Sequence, residues 1–200
     1  MKMKKVLAGI LGAVMTISAI PAVMAEDDDV ILHYDFESEI TEGVNYGATI
    51  KNGYAYFDGE DDYIHMPDNV VSGEEDVTFV INVRPDMNGA NQFTFTVGTG
   101  QNNYLFFNTN NPEGKARAAI TNVGHWQEYA VTADAIGRGS WASVAVVMDG
   151  KSMKLYVNGE IASETTSEVI ASGLGDTNRN YLAKSQYSAD SYFKGYIDDF

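Results

Sequence analysis

The stretch WASVAVVMDGKSMKLYVNGE, from Trp141 to Glu160, decides the fold of this chain. Apolar residues recur at every second position before and after the turn sequence at 149–152, a period typical of a β-strand. Asn158-Gly159 is a strong hairpin signal, because both residues tolerate the positive φ angles of a type I′ turn. The stretch therefore predicts an antiparallel meander of two strands and the start of a third. Its apolar face is expected to comprise Val144, Val146, Met148, Met153, Leu155 and Val157.

Runs of the same kind occur throughout the rest of the chain. The two clearest are Val77 to Arg84 and Phe93 to Val97, and Ser38 to Asn52 resembles a loop with one short strand. Turn signals such as Asn88-Gly89 separate the runs, and no long helical period is present, which together predict an all-β sandwich. Further strands are expected at 31–37, 54–57, 63–66, 104–108, 116–121, 127–132, 181–184 and 192–200.

The first 25 residues have the features of a secretory signal peptide. A basic start is followed by an apolar run from Val6 to Ile20, then by Pro21 and small residues ahead of Glu26. The alternative is a retained membrane anchor, but the run is shorter than the roughly 20 residues that a span needs. The expected organisation is a signal peptide at 1–25, an acidic lead-in at 26–29 and one sandwich domain at 30–200.

Composition excludes several classes of function. Cleavage after Ala25 removes three lysines and no acids, so the formal net charge moves from −15 to −18. Nucleic acids and anionic membrane surfaces are therefore not expected as partners, since both favour basic patches. The chain has no cysteine, which excludes a Cys-based zinc site and a thiol nucleophile.

Four segments resemble laminin-G-like (concanavalin A-like) jelly-roll domains, in the family's order. They are ILHYDFE at 31–37, AYFDG with DYI at 55–64, the central stretch at 141–160 and FKGYIDDF at 193–200. The resemblance implies a two-sheet antiparallel jelly roll in which Trp141 is buried. In the family the last strand continues for several residues and a tail, so we expect this domain to be cut short at Phe200. The resemblance also implies that the longer protein is a glycoside hydrolase or a surface adhesin.

The same resemblance implies a structural calcium ion. Glu37 at the end of the first segment and Asp198 and Asp199 near the end of the last one match positions where similar sandwiches often hold calcium. Asp35 is a weaker candidate. Calcium takes six to eight oxygen ligands from carboxylates, carbonyls and water. The alternative is a set of solvated carboxylates at strand ends.

Aromatic and amide side chains suggest a carbohydrate site, because sugar-binding modules use rings as platforms and amides for hydroxyls. Trp126 lies in the polar segment His125 to Tyr129, where packing and binding are equally plausible roles for its ring. The predicted carbohydrate-binding residues are Trp126, Tyr129, Tyr187, Tyr104 and Asn103.

Catalysis is not expected. Retaining glycosidases hold two carboxylates about 5–5.5 Å apart and inverting ones about 6.5–9.5 Å apart. Related jelly-roll glucanases carry Glu-x-Asp-x-x-Glu on one strand, and this sequence has no such run. The leading hypothesis is a secreted, non-catalytic lectin-like module for polysaccharide, accessory to a polysaccharide-degrading enzyme in the full-length protein. The alternatives are a structural or adhesive module that binds protein and, third, a glycoside hydrolase in its own right.

We expect the exported protein to begin at Glu26, because Val23 and Ala25 are small residues and Pro21 ends the apolar run. N-terminal sequencing or intact mass of exported material measures this directly. A mass that retains residues 1–25 would contradict the secreted, soluble form.

Overall fold

The computed structural model of the protein describes residues 30–200, which form two antiparallel sheets of seven strands each. The predicted signal peptide at 1–25 and the acidic lead-in at 26–29 lie outside the described residues. Within residues 30–200, no helix has the length and apolar character needed to cross a membrane.

Residues 30–200 contain fourteen strands and two short 3-10 helices, His125–Gln127 and Ala171–Leu174. In chain order the strands are β1 (Val44–Tyr46), β2 (Thr49–Lys51), β3 (Tyr54–Asp58), β4 (Tyr63–His65), β5 (Val77–Pro85), β6 (Phe93–Gly100), β7 (Asn103–Asn108), β8 (Lys115–Thr121), β9 (Tyr129–Asp134), β10 (Ala142–Asp149), β11 (Ser152–Val157), β12 (Glu160–Thr166), β13 (Tyr181–Leu182) and β14 (Lys194–Asp198).

The strands divide into sheet A, in the order β1-β4-β13-β6-β7-β8-β9, and sheet B, in the order β12-β11-β10-β5-β14-β3-β2. Each sheet turns one row of side chains toward the other, as period-two alternation requires. The shared core contains Phe57, Ile81, Phe95, Phe107 and Val146, all fully buried. The all-β jelly-roll prediction is confirmed.

The central meander forms as the sequence predicts. Cross-strand pairing between β10 and β11 sets Val146 opposite Leu155 and Met148 opposite Met153, all of them buried. Asn158 and Gly159 connect β11 to β12 with φ angles of 51° and 85°, both positive as a type I′ turn demands. The apolar face of the meander therefore rests on the core, and β10 pairs directly with β5.

The prediction that residues 31–37 form the first strand is wrong. Its side chains do alternate, with Leu32, Tyr34 and Phe36 buried, but the structure records no strand there. Two backbone hydrogen bonds tie the segment to the end of the chain: Tyr34 donates to Phe200 at 2.8 Å, and Phe200 donates to Tyr34 at 3.1 Å. Phe36 then adopts a φ of 53°, a left-handed conformation that cannot continue a strand.

Two further expectations need correction. Strand β9 begins at Tyr129 rather than residue 127, because His125–Gln127 form a 3-10 helix. Trp141 was expected in the core, yet its side chain is 45% exposed. The next residue, Ala142, is buried opposite Val83, so alternation turns Trp141 to the outer face of sheet B.

Candidate functional site

Strand β7 buries side chains on both faces of sheet A. Leu105 and Phe107 belong to the core between the sheets. Tyr104 and Phe106 belong to a second apolar cluster with Phe93 of β6. Tyr104 and Phe106 are only 2% and 4% exposed, although sheet B lies on the opposite side of their strand. Another part of the chain must therefore cover this outer face.

The cover is residues 183–193, here called the crossing segment, which follow β13. Backbone hydrogen bonds attach its first residue to β6, since Ala183 donates to the Thr94 carbonyl at 2.8 Å. In its middle, Gln186 donates through Nε2 to Thr96 Oγ1 at 3.1 Å. Its Tyr187 ring meets Tyr104 edge to face, with ring centroids 6.0 Å apart. The segment therefore lies against the outer face of sheet A from β6 toward β7.

A cavity of about 530 Å³ remains between the crossing segment, the outer faces of β6, β7 and β8, and the 3-10 helix at 125–127. Small-molecule sites in proteins measure roughly 300–1,000 Å³, so the cavity has the size of a ligand site. Apolar rings and polar side chains share its wall: Asn91, Phe93, Thr96, Tyr104, Phe106, Asn108, Asn111, Pro112, Glu113, Arg117, His125, Glu128, Ser185, Gln186, Tyr187, Ala189 and Asp190.

Glu128 holds the polar network on one side of the cavity. Its Oε1 accepts a hydrogen bond from the Tyr104 hydroxyl at 2.5 Å, and its Oε2 lies 2.5 Å from Arg117 Nη2. Burial, followed by the hydrogen bond to Glu128, raises the pKa of the Tyr104 phenol, which keeps it protonated and donating. The Arg117 guanidinium also lies over the Phe106 ring, 5.4 Å from the centroid. These contacts hold all three polar side chains in one arrangement.

Asp190 and Asn108 contribute further polar atoms to the cavity wall. Asp190 accepts hydrogen bonds from Ser185 Oγ at 2.6 Å and Asn91 Nδ2 at 3.3 Å. Asn108 is 2% exposed, and its Oδ1 has no hydrogen-bond partner within residues 30–200. A buried acceptor without a partner is costly, so Asn108 Oδ1 is an unsatisfied polar atom behind the cavity wall.

The structure brings together three of the five predicted carbohydrate-binding residues. Tyr104 and Tyr187 line the cavity. Trp126 is 88% exposed on the 3-10 helix at its edge, with its ring 4.2 Å from that of His125. His125 in turn lies 3.3 Å through Nδ1 from the Tyr187 hydroxyl.

The other two predicted residues lie outside the cavity. Tyr129 packs against the core between the sheets, because alternation along β9 turns it away from the outer face. Asn103 begins β7 and donates through Nδ2 to the Leu174 carbonyl at 3.5 Å, toward the second 3-10 helix.

Four members of this site were not predicted from the sequence: Arg117, His125, Glu128 and Asp190. One signal was available at Tyr104-Leu105-Phe106-Phe107, a continuous apolar run rather than an alternating one. Such a run is typical of a strand that is covered on both faces. It predicts a covered outer face, but not which segment covers it.

The three predicted calcium ligands lie in one region. Burial and the neighbouring Asp199 carboxylate raise the pKa of Asp198 to about 6, and Glu37 contributes further repulsion. Gly53 leaves room for Glu37, since a Cβ at that position would lie 2.9 Å from Glu37 Oε1. Asp198 and Asp199 are partly buried and Glu37 is exposed, and carboxylate oxygens are the donors that calcium prefers. Bound calcium remains a prediction.

A different acidic group has more closely spaced oxygens. Within residues 30–200, the carboxylates of Asp58, Asp61 and Asp62 lie within 4.8 Å of one another, whereas Glu37, Asp198 and Asp199 do not meet that spacing. Acidic groups of this kind are common without a metal, and Asp62 accepts a hydrogen bond from the Asp58 backbone amide at 3.1 Å. This geometry is accounted for by the turn itself.

Chelation should lower the melting temperature if calcium binds at Glu37, Asp198 and Asp199. A ligand present at 100 times its dissociation constant stabilises the folded state by about 2.7 kcal/mol, which is on the order of 5–10 °C for a domain of this size. Glu37→Ala should abolish the response to added calcium, whereas Glu39→Ala, an exposed acid two residues away, should retain it. Identical melting curves with and without chelator would refute the site.

Comparison with known proteins gives one family and several relatives. The profile of the Concanavalin A-like lectin/glucanases superfamily matches residues 58–200. An alpha-L-arabinofuranosidase of Bifidobacterium longum subsp. longum is 28% identical over 170 residues, which cover 77% of this chain and 16% of that enzyme. The chain thus spans about a sixth of the length of this relative.

Two solved structures share the fold at low sequence identity. Domain 4 of AbnA, a GH43 extracellular arabinanase from Geobacillus stearothermophilus, in complex with arabinotriose, is 21% identical with a TM-score of 0.62, over 82% of this chain and 76% of that one. The CBM40 of Ruminococcus gnavus IT-sialidase, bound to alpha2,3 sialyllactose, is 20% identical with a TM-score of 0.59, over 84% of this chain and 89% of that one.

Proposed function

Because this chain belongs to the concanavalin A-like lectin/glucanase superfamily, as its four motifs predicted, we propose that it is a carbohydrate-binding module. The observation that carries the proposal is the cavity on the outer face of sheet A, where aromatic rings and hydrogen-bonded polar groups line the same space. In the proposed complex the sugar enters between the crossing segment and β8, and the module binds it without catalysing its cleavage.

Ring stacking would supply part of the affinity. Trp126, His125 and Tyr187 form a chain of neighbouring rings at the cavity edge. One sugar face covering about 80 Å² of a ring contributes about 2 kcal/mol at roughly 25 cal/mol per Å². Millimolar affinity requires about 4 kcal/mol, and association has its own entropic cost. One ring is therefore insufficient, and polar contacts must contribute.

The polar groups are suited to hydroxyl recognition because the protein already holds them in place. Glu128 is oriented by Tyr104 and Arg117, and Asp190 by Ser185 and Asn91. Each carboxylate keeps lone pairs that can accept from a sugar hydroxyl. Side chains that are ordered before binding lose little entropy when the ligand arrives. This pre-organisation supports modest, micromolar to millimolar affinity that grows with oligosaccharide length.

The relatives support the proposal and suggest that the module is part of a longer protein. The arabinanase domain is described with arabinotriose and the sialidase domain with sialyllactose, and the arabinofuranosidase is much longer than this chain. We therefore propose that the module is exported and serves as an accessory to a polysaccharide-degrading enzyme in a longer protein.

A second candidate is an adhesive module that binds protein through sheet B. Its outer face carries a row of rings around one cation: the Arg84 guanidinium lies 4.1 Å from the Tyr196 ring centroid and 5.8 Å from that of Trp141. Tyr56 adjoins Tyr196 on the next strand, with centroids 4.9 Å apart. A half-exposed row of rings with Arg is typical of protein interfaces.

Trp126→Ala should weaken glycan binding at least tenfold, about 1.4 kcal/mol, because it removes one stacking ring. Its melting temperature should hardly change, since the ring is 88% exposed. The measurement is calorimetric titration with plant and microbial oligosaccharides.

Trp141→Ala is the matched control, because the second tryptophan lies on the outer face of sheet B. It should leave glycan affinity unchanged. If Trp126→Ala unfolds the domain, its ring is structural and the site is wrong. If the wild-type chain binds nothing across the panel, the adhesive function replaces the carbohydrate one.

A further inference from the structure

The cavity carries more negative than positive charge. Its wall contains three carboxylates, those of Glu113, Glu128 and Asp190, against one guanidinium, that of Arg117. Counting these four side chains alone, the formal charge of the lining is −2. The whole chain is also acidic, with a formal net charge of −15.

The single guanidinium is already engaged. Arg117 Nη2 lies 2.5 Å from Glu128 Oε2, and the side chains of this pair are only 22% and 11% exposed. If an incoming anion took Arg117 for itself, it would leave Glu128 poorly solvated and without its cation. Removing one partner from a buried ion pair is strongly unfavourable. Arg117 is therefore a poor receptor for a ligand carboxylate.

Within the described residues, the remaining two carboxylates, those of Glu113 and Asp190, have no ion-pair partner. Asp190 accepts hydrogen bonds from Ser185 and Asn91, both neutral donors. These oxygens can accept from neutral hydroxyls, but they repel another carboxylate. Around Asp190, which is partly buried, that repulsion is stronger than it would be in bulk solvent.

Building on the proposed function, we propose that the cavity selects uncharged oligosaccharides and rejects those that carry a uronic or sialic acid. The ring faces suit sugar planes, and the oriented carboxylates of Glu128 and Asp190 suit neutral hydroxyls. The charge distribution excludes an acidic sugar, since specificity often arises from repulsion of the wrong ligand. The exclusion of acids is set by Glu113 and Asp190, whose charges no cation of the cavity wall compensates.

Matched pairs of oligosaccharides test the selection on the full chain by titration calorimetry. Galactotriose against trigalacturonic acid differs in a carboxylate at each ring, and lactose against alpha2,3 sialyllactose differs by one acidic sugar. In any pair that binds, the neutral member should bind at least tenfold tighter at low salt. Equal or tighter binding of the acidic member would overturn the selectivity and leave the proposed function intact. If no member of either pair binds, and no sugar of a wider neutral panel that includes arabinotriose binds, both the selectivity and the proposed function are refuted.

A variant separates local repulsion from the net charge of the chain. Glu113 is exposed and lines the cavity, so Glu113→Gln should fold normally and lower the neutral-to-acidic affinity ratio by about threefold. Glu164→Gln makes the same change at an exposed position of β12 in sheet B and should leave the ratio unchanged. An equal effect of the two variants, or none from Glu113→Gln, would contradict a cavity-based mechanism.

Discussion

The site depends on how the outer face of sheet A is covered. Two stacked sheets bury one face each against the other, but β7 also carries large rings on its second face. Tyr104 and Phe106 would be exposed there if nothing lay over them. The crossing segment buries them, anchored by hydrogen bonds from Ala183 and Gln186 to β6. The cavity lies between this segment and the outer faces of β6, β7 and β8, so the packing that protects the rings also forms one wall of the cavity.

Covering an apolar face in this way has an electrostatic consequence. The polar side chains at the cavity margin are removed from much of the solvent and must find partners within the protein. Glu128 does so with Tyr104 and Arg117, and Asp190 does so with Ser185 and Asn91. These networks make the wall rigid, and they also decide its charge. In the proposed function, recognition of neutral sugars and exclusion of acidic ones both depend on these two networks.

Much of the fold could be predicted from the sequence, because its strongest signals are local. Period-two alternation identified the meander, and Asn158-Gly159 identified its turn, since both depend only on neighbouring residues. The family was also predicted, and the profile match confirms it. At residues 31–37 the predicted alternation of buried side chains is correct, but the predicted strand is not. Backbone hydrogen bonds pair this segment with the end of the chain only at Tyr34 and Phe200.

The site was less predictable, because it depends on contacts between residues far apart in sequence. Trp126 and Tyr129 are three residues apart, yet the 3-10 helix exposes the first while β9 turns the second against the core. Trp141 was placed in the core by resemblance, and strand register reverses that assignment. The approach of Asp190 to Asn91 joins residues 99 positions apart, and no short motif signals such a contact.

The most direct test of the account is where a glycan binds, and the chain's two tryptophans provide the readout. Trp126 marks the cavity on sheet A, and Trp141 marks the row of rings on sheet B. In a proton–nitrogen NMR titration with a neutral oligosaccharide that binds, the Trp126 indole signal and the amides of Glu128 and Tyr187 should shift together. The Trp141 indole signal should stay in place. A shift of Trp141 with Trp126 unmoved would contradict the account and assign glycan recognition to sheet B.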